Sequence, residues 1–319
     1  MKTLIILGSG FDIDLGLGNS CRDFCKSQYC PITGNQYWSD FEGALRNEVI
    51  KWYKDGKQEL AAKALNELWQ EYVRNISWFF TDKSDKFKCN ERTCAYKFLK
   101  RLNPTSKTKV YTFNYTNPYE YADIPQLKEF TYLHGRHYRD TFNKDLMVMS
   151  QCHNIILGID ECIPQDGLCN PYIHALIKKN HPIYKDTDII RDLSKAKHVI
   201  IYGFAMGTID YGYFEEFFKS IKNEESHCEK LYYVTYNKTS FENFLIILKE
   251  KGLKTGSIKL IPIYTKYGPK NRTFRKMLKD LMPYTRYKTN DSLHIPYSMG
   301  LAYNASGTSI PYKDSTPQR

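Results

Sequence analysis

Four short motifs carry the residue types that do chemistry. In Gly8-Ser9-Gly10-Phe11-Asp12, two glycines stand one residue apart and a carboxylate follows. Behind a strand, such glycines let the backbone approach a pyrophosphate, and the next helix offers free N–H groups to an anion. Ile13 stands where a dinucleotide fingerprint needs its third glycine, and no Gly-Lys-Ser/Thr follows. The motif therefore suits a nucleotide site unlike that of an ordinary dehydrogenase, or a tight turn with no ligand. The second motif is Thr112-Phe113-Asn114-Tyr115-Thr116, where Asn114 supplies a side-chain amide directly after an apolar run. That amide either faces a ligand or caps the next turn. The third, His134-Gly135, supplies an imidazole able to act as a general base near neutral pH, or a structural histidine. The fourth, Gly203-Phe204-Ala205-Met206-Gly207, is a second glycine turn with Asp210 just beyond it.

These motifs need a frame. Short apolar runs rich in β-branched and aromatic residues predict strands at Thr3–Leu7, Lys109–Phe113, Glu129–Leu133, Asn154–Leu157, His198–Tyr202, Leu231–Thr235 and Lys259–Ile263. Most are continuously apolar, as strands covered on both faces are, so a mainly parallel sheet is expected. Helical spacing at Phe214–Lys222 and Ser240–Lys251 alternates with them. The expected fold is a doubly wound, Rossmann-like α/β domain over about residues 1–283. Each motif then follows a strand, and all four face the crevice at the carboxyl ends of the strands.

Residues at about 38–102 break the alternation. Leu45, Val49, Trp52, Leu65, Trp69, Tyr72, Val73 and Ile76 keep helical spacing with no strand between them, which predicts a helical insertion after the first strand. The stripe Trp52, Trp69, Tyr72 is expected in the core rather than stacked on bases. Residues 284–319 lack periodicity and are expected to form an irregular C-terminal tail.

Composition narrows the classes further. The chain has 319 residues, 42% hydrophobic and 25% charged, as a globular protein does. No apolar run approaches the roughly 18 residues that span a bilayer, and Lys2 with its short apolar run makes no signal peptide. A cytoplasmic protein without a membrane partner is expected. The nine cysteines, Cys21, Cys25, Cys30, Cys89 and Cys94 among them, match no zinc spacing, so free thiols and no metal are expected. The net charge of +11 fits an anionic partner, either a dinucleotide or nucleic acid, or a solvated basic surface.

Taken in order, Gly8-Ser9-Gly10-Phe11-Asp12, Phe113-Asn114-Tyr115-Thr116, His134-Gly135, Ile156-Leu157-Gly158 and Gly203 to Asp210 resemble the AbiH family of bacterial abortive-infection proteins, over about residues 3 to 265. That family is in turn similar to sirtuin-like NAD-binding domains. The resemblance implies NAD, or a related nucleotide, as ligand, with hydrolysis of its nicotinamide–ribose bond during phage infection. It places Asn114 beside the nicotinamide ribose and gives His134 the catalytic role. It puts the pyrophosphate on Gly8, Ser9 and Gly10, and Gly203 near the adenosine. Phe11, Asp12, Thr116, Phe204 and Asp210 complete the expected ligand-contacting set. Three departures stand out. Thr116 replaces the usual aspartate, Phe204-Ala205-Met206 replaces His-Ser-Leu, and the zinc cysteines of deacetylating sirtuins are missing. Related defence enzymes often assemble, which implies a homo-oligomer. Beside NAD hydrolysis stand two other readings: a nucleotide sensor without turnover, and a defence protein that binds nucleic acid or a phage component.

Overall fold

A computed structural model of the protein describes residues 3–18, 23–24, 26–30, 41–56, 59–102, 108–122, 124, 129–137, 155–182, 184, 187–207, 210–253 and 258–281. The expected tail at 284–319 lies outside the described residues, as do Trp38, Cys21, Cys25, Asn154, Thr208 and Ile209.

Six strands form one sheet: β1 (Thr3–Leu7), β2 (Thr108–Thr112), β3 (Thr131–Tyr132), β4 (His198–Tyr202), β5 (Lys230–Thr235) and β6 (Lys259–Tyr264). Their order is β3-β2-β1-β4-β5-β6, and every pair is parallel. The sheet is thus doubly wound, and strand order reverses between β1 and β4. Successive side chains point to opposite faces. Ile5, Val110, Ile200 and Tyr202 enter one core with Phe11, Phe98 and Phe274. Leu4, Ile6, Val199 and Ile201 enter the other with Phe214, Phe218 and Phe244. All five residues of β1 and of β4 are buried, which is why both runs are apolar after their first residues, Thr3 and His198.

Register fixes where the motifs fall. Leu7 pairs with both Thr112 and Tyr202, and Thr112 pairs with Tyr132. The carboxyl ends of β1, β2, β3 and β4 are therefore level, and the residues that follow them share one edge of the sheet.

Helix α1 (Ser9–Leu15) follows β1 at once. Between it and β2 come α2 (Phe41–Lys54), α3 (Glu59–Lys86) and the short α4 (Cys94–Leu99). Then come α5 (Pro118–Ala122), α6 (Gln165–Leu168), α7 (Pro171–His174), α8 (Thr187–Lys195), α9 (Glu215–Lys222), α10 (Lys238–Glu250) and α11 (Arg272–Leu281). Leu45 and Val49 of α2 and Trp69, Tyr72 and Phe79 of α3 build a third core with Ile155, Leu157, Ile173 and Ile177.

That third core corrects one strand expectation. Among the described residues, 155–157 join no ladder, and Ile155 makes an isolated antiparallel bridge to Gly135. Their apolar side chains are buried against the helices instead, and Trp69 Nε1 donates to the Leu157 carbonyl at 3.0 Å. Strand β3 is likewise shorter than its apolar run. It is an edge strand, held by β2 through two residue pairs.

Candidate functional site

The two glycine turns pack on each other. Gly8 N–H donates to the Tyr202 carbonyl at 2.9 Å, and Gly10 N–H donates to the Gly203 carbonyl at 2.8 Å. Gly203 has φ +63°, a left-handed backbone that glycine adopts without strain. A Cβ on Gly203 would lie 2.2 Å from Phe11 N, and one on Gly8 would lie 2.6 Å from Phe204 Cα. These glycines let the β1 and β4 exits touch. Phe11 N–H also has a protein acceptor, the Gly8 carbonyl. Ser9 is the residue of this turn that lines the neighbouring cavity.

The Asn114 motif ties β2 to the same turn. Asn114 Nδ2 donates to the Gly8 carbonyl at 3.0 Å, and its own N–H donates to Thr112 Oγ1 at 3.0 Å. Helix capping falls instead to Asn117, whose Oδ1 accepts from the Tyr119 N–H of α5. The Thr116 hydroxyl donates to Asp12 Oδ2, and both residues are buried. They fasten the β2 exit to α1. Phe11 points into the sheet core, edge-on to Tyr202 with ring centroids 4.9 Å apart.

His134 meets two charged groups at the polar end of the cavity. Its Nε2 lies 3.4 Å from Asp210 Oδ1 and 3.4 Å from Lys178 Nζ. Lys178 Nζ donates to Glu42 Oε2 at 2.7 Å and lies 3.5 Å from Asp210 Oδ1. Nε2 cannot donate to the carboxylate and accept from the ammonium at once. A proton on Nε2 would serve Asp210 Oδ1, on which His134 and Lys178 converge, and would make Nδ1 the acceptor. The Phe113 ring stands perpendicular to the imidazole at 5.1 Å and limits its tilt.

Burial works against the Asp210 carboxylate, but Lys178 and His134 outweigh it and hold its pKa well below the usual range. Burial likewise opposes the Lys178 charge, and Glu42 with Asp210 more than offsets it, so its pKa is raised. Both groups are ionised at neutral pH. Glu42 is held from two sides, because its Oε1 accepts from the Gly158 N–H at 3.0 Å.

About 210 Å³ of the cavity is open to the centres of water-sized molecules. That far exceeds the roughly 10–15 Å³ that one water needs, so a ligand fits. One wall is the strand exits, with Ser9, Phe113, Asn114, His134, Phe204 and Asp210. The opposite wall comes from the helices after β1, with Glu42, Tyr72, Ile76, Phe79 and Phe80. Phe113 and Phe204 stack, with centroids 4.2 Å apart. Met206, also in the wall, has φ +52°, a conformation that costs a non-glycine residue and clusters at functional sites.

Five expected site residues therefore line the cavity: Ser9, Asn114, His134, Phe204 and Asp210. Gly8, Gly10, Phe11, Asp12, Thr116 and Gly203 are not in its wall; they hold the wall in place. Sequence reasoning missed Glu42, Lys178 and the aromatic face of α3. Tyr72, expected in the core, is buried and also lines the cavity.

The family model described as bacteriophage abortive infection AbiH matches residues 4–232. No curated protein matches the chain.

Proposed function

Because the chain belongs to the bacteriophage abortive infection AbiH family, whose role is defence against phage, we propose that its cavity binds NAD or a related nucleotide and hydrolyses the nicotinamide–ribose bond. One observation carries the reading. Asn114, His134 and Asp210 come from three separate strand exits and line one aromatic-walled cavity where strand order reverses. Concave, mostly apolar sites with a few convergent polar groups are how proteins hold small molecules.

The residues divide the work as follows. Asp210, ionised and fixed by Lys178 and His134, opposes the positive charge that develops on the ribose as the C–N bond breaks. Nicotinamide departs neutral, taking the bonding electron pair, so no strong acid is required. His134 Nδ1 accepts a proton from the water that attacks the ribose carbon. Asn114 orients the sugar, its own rotamer set by the Gly8 carbonyl. Ser9 is the turn's contact for the phosphates, since the Gly8, Gly10 and Phe11 N–H groups have protein acceptors. The products are nicotinamide, ADP-ribose and a proton.

The test is release of free nicotinamide from NAD by the purified chain. His134→Ala is expected to lower the rate about 10²–10⁴-fold, the usual contribution of a positioned base, and Asn114→Ala to lower it by loss of orientation. A rise in melting temperature with NAD but no nicotinamide would replace hydrolysis by sensing. Neither binding nor release would remove both.

A further inference from the structure

The charges around the cavity do not balance. Two carboxylates, Glu42 and Asp210, belong to its lining, and no lysine or arginine does among the described residues. The cation within reach is Lys178, 2.7 Å from Glu42 and 3.5 Å from Asp210. Two negative charges and one positive leave one negative charge at the polar end when the imidazole is neutral. The walls add to this. Tyr72, Phe80, Phe113, Tyr115 and Phe204 present aromatic rings to the same space, and the faces of such rings attract cations.

We propose that this cavity selects a cationic ring, an N-alkylated pyridinium, over a neutral ring of the same shape, and that Glu42 supplies the charge that makes the selection. The inference rests on the nucleotide reading only for the choice of pyridinium. Asp210 and Lys178 by themselves sum to zero; Glu42 tips the balance. Glu42 sits on α2, so the selecting charge comes from the helices inserted after β1 and not from the sheet edge. Its place is set by Gly158 N–H and Lys178 Nζ, so the charge is held still against the cavity. A neutral dihydropyridine would gain nothing from it.

The test compares two small probes on the full chain at pH 8, where imidazoles are ordinarily neutral. One is 1-methylnicotinamide, a cation. The other is 3-methylbenzamide, which has carbon in place of the charged ring nitrogen and the same outline. Calorimetric titration is expected to show the cation binding at least about tenfold more tightly, as a unit charge a few ångströms away at an effective dielectric of about 20 allows. Glu42→Gln keeps the side-chain length and one acceptor oxygen, for Gly158 N–H or for Lys178 Nζ, and removes the charge. It is expected to lower that ratio about tenfold and to leave the neutral probe within about twofold. Should this variant fail to fold, Asp210→Asn removes the same unit of charge.

Equal or tighter binding of the neutral probe overturns the inference, as does no binding of either. So does a Glu42→Gln effect that weakens both probes alike. Nicotinamide release from NAD is read in parallel. A cation preference without release sinks hydrolysis and leaves the inference standing. Release without a cation preference does the reverse.

Discussion

Replacing Lys178 by methionine keeps side-chain length and removes the ammonium. Lys178 is 5% exposed and faces two carboxylates. Its loss leaves Glu42 and Asp210 side by side, partly buried, with no cation between them. Removing one partner of a buried ion pair costs about 3–5 kcal/mol, because the remaining charge keeps its desolvation penalty without its attraction. Total stability of a domain is about 5–15 kcal/mol, so the variant is expected to fold with a clearly lower urea midpoint. The penalty has a pH signature. Asp210 has its folded pKa depressed, so its stabilisation is present above the ordinary value near 4 and is lost as the pH falls through the folded value. Lys178 has its folded pKa raised, so its stabilisation is present below the ordinary value of about 10.4 and is lost as the pH rises through the folded value. The gap between wild type and Lys178→Met should therefore be widest from about pH 5 to 10 and should close on the acid side as the Asp210 carboxylate protonates. Adding Glu42→Gln and Asp210→Asn to Lys178→Met should recover more than half of the loss, a coupling that independent sites would not show. A penalty under about 1 kcal/mol at pH 7, or one unchanged down to pH 3, would refute the reasoning.

Three further outcomes follow from the structure. Gly203→Ala should cost at least about 3 kcal/mol or prevent folding, since its Cβ would meet the Phe11 and Gly10 backbone in a left-handed conformation. Gly207→Ala, whose Cβ meets nothing within 4 Å, should stay within about 0.5 kcal/mol in the same denaturation assay. His137 is 1% exposed, and burial lowers its pKa to about 4, partly opposed by a Ser77 backbone contact. Wild-type stability should then be full above about pH 6.5 and fall by about 2–3 kcal/mol as the pH drops towards 4. His137→Gln should flatten that slope, and an unchanged slope would assign the acid sensitivity elsewhere.

The sheet was legible because β1, β4 and β5 are buried on both faces, and burial of that kind writes an unbroken apolar run into the sequence. The same signal misled at 154–157. An apolar run records burial, and Ile155 and Leu157 are buried by α3 and not by a strand on either side. At the site, local patterns announced Asn114 and His134 because each directly follows an apolar stretch. Lys178 had no such announcement. It stands in Lys178-Lys179-Asn180, which looks like a solvated turn, and Lys179 is indeed exposed. Its partner Glu42 is 136 positions away, on an unremarkable turn of an amphipathic helix. A pairing over that separation leaves no periodicity in either segment. The available hint was indirect: Ile173, Leu176 and Ile177 are an apolar face that ends at Lys178, so the lysine begins on a buried side.

The glycine motifs show how one signal can have two physical causes. Closely spaced glycines after a strand mean that something approaches the backbone within the reach of a Cβ. Read alone, that something is a pyrophosphate. Here Gly203 approaches Gly10 and Phe11, and Gly8 approaches Phe204, so these three glycines are accounted for by each other, while Gly207 meets nothing within 4 Å. The contact draws the β1 and β4 exits together at the point where strand order reverses, and Asn114 is anchored on the Gly8 carbonyl that the contact positions. The glycines thus help to place Asn114 and Phe204 in the cavity wall. The wall facing that edge comes from α2 and α3, which are not part of the doubly wound frame. The sheet edge supplies Asn114, His134 and Asp210 to the cavity, and the helices after β1 supply Glu42 and the rings of Tyr72, Phe79 and Phe80. Variation in those helices would change what is bound without moving the atoms of His134 or Asn114.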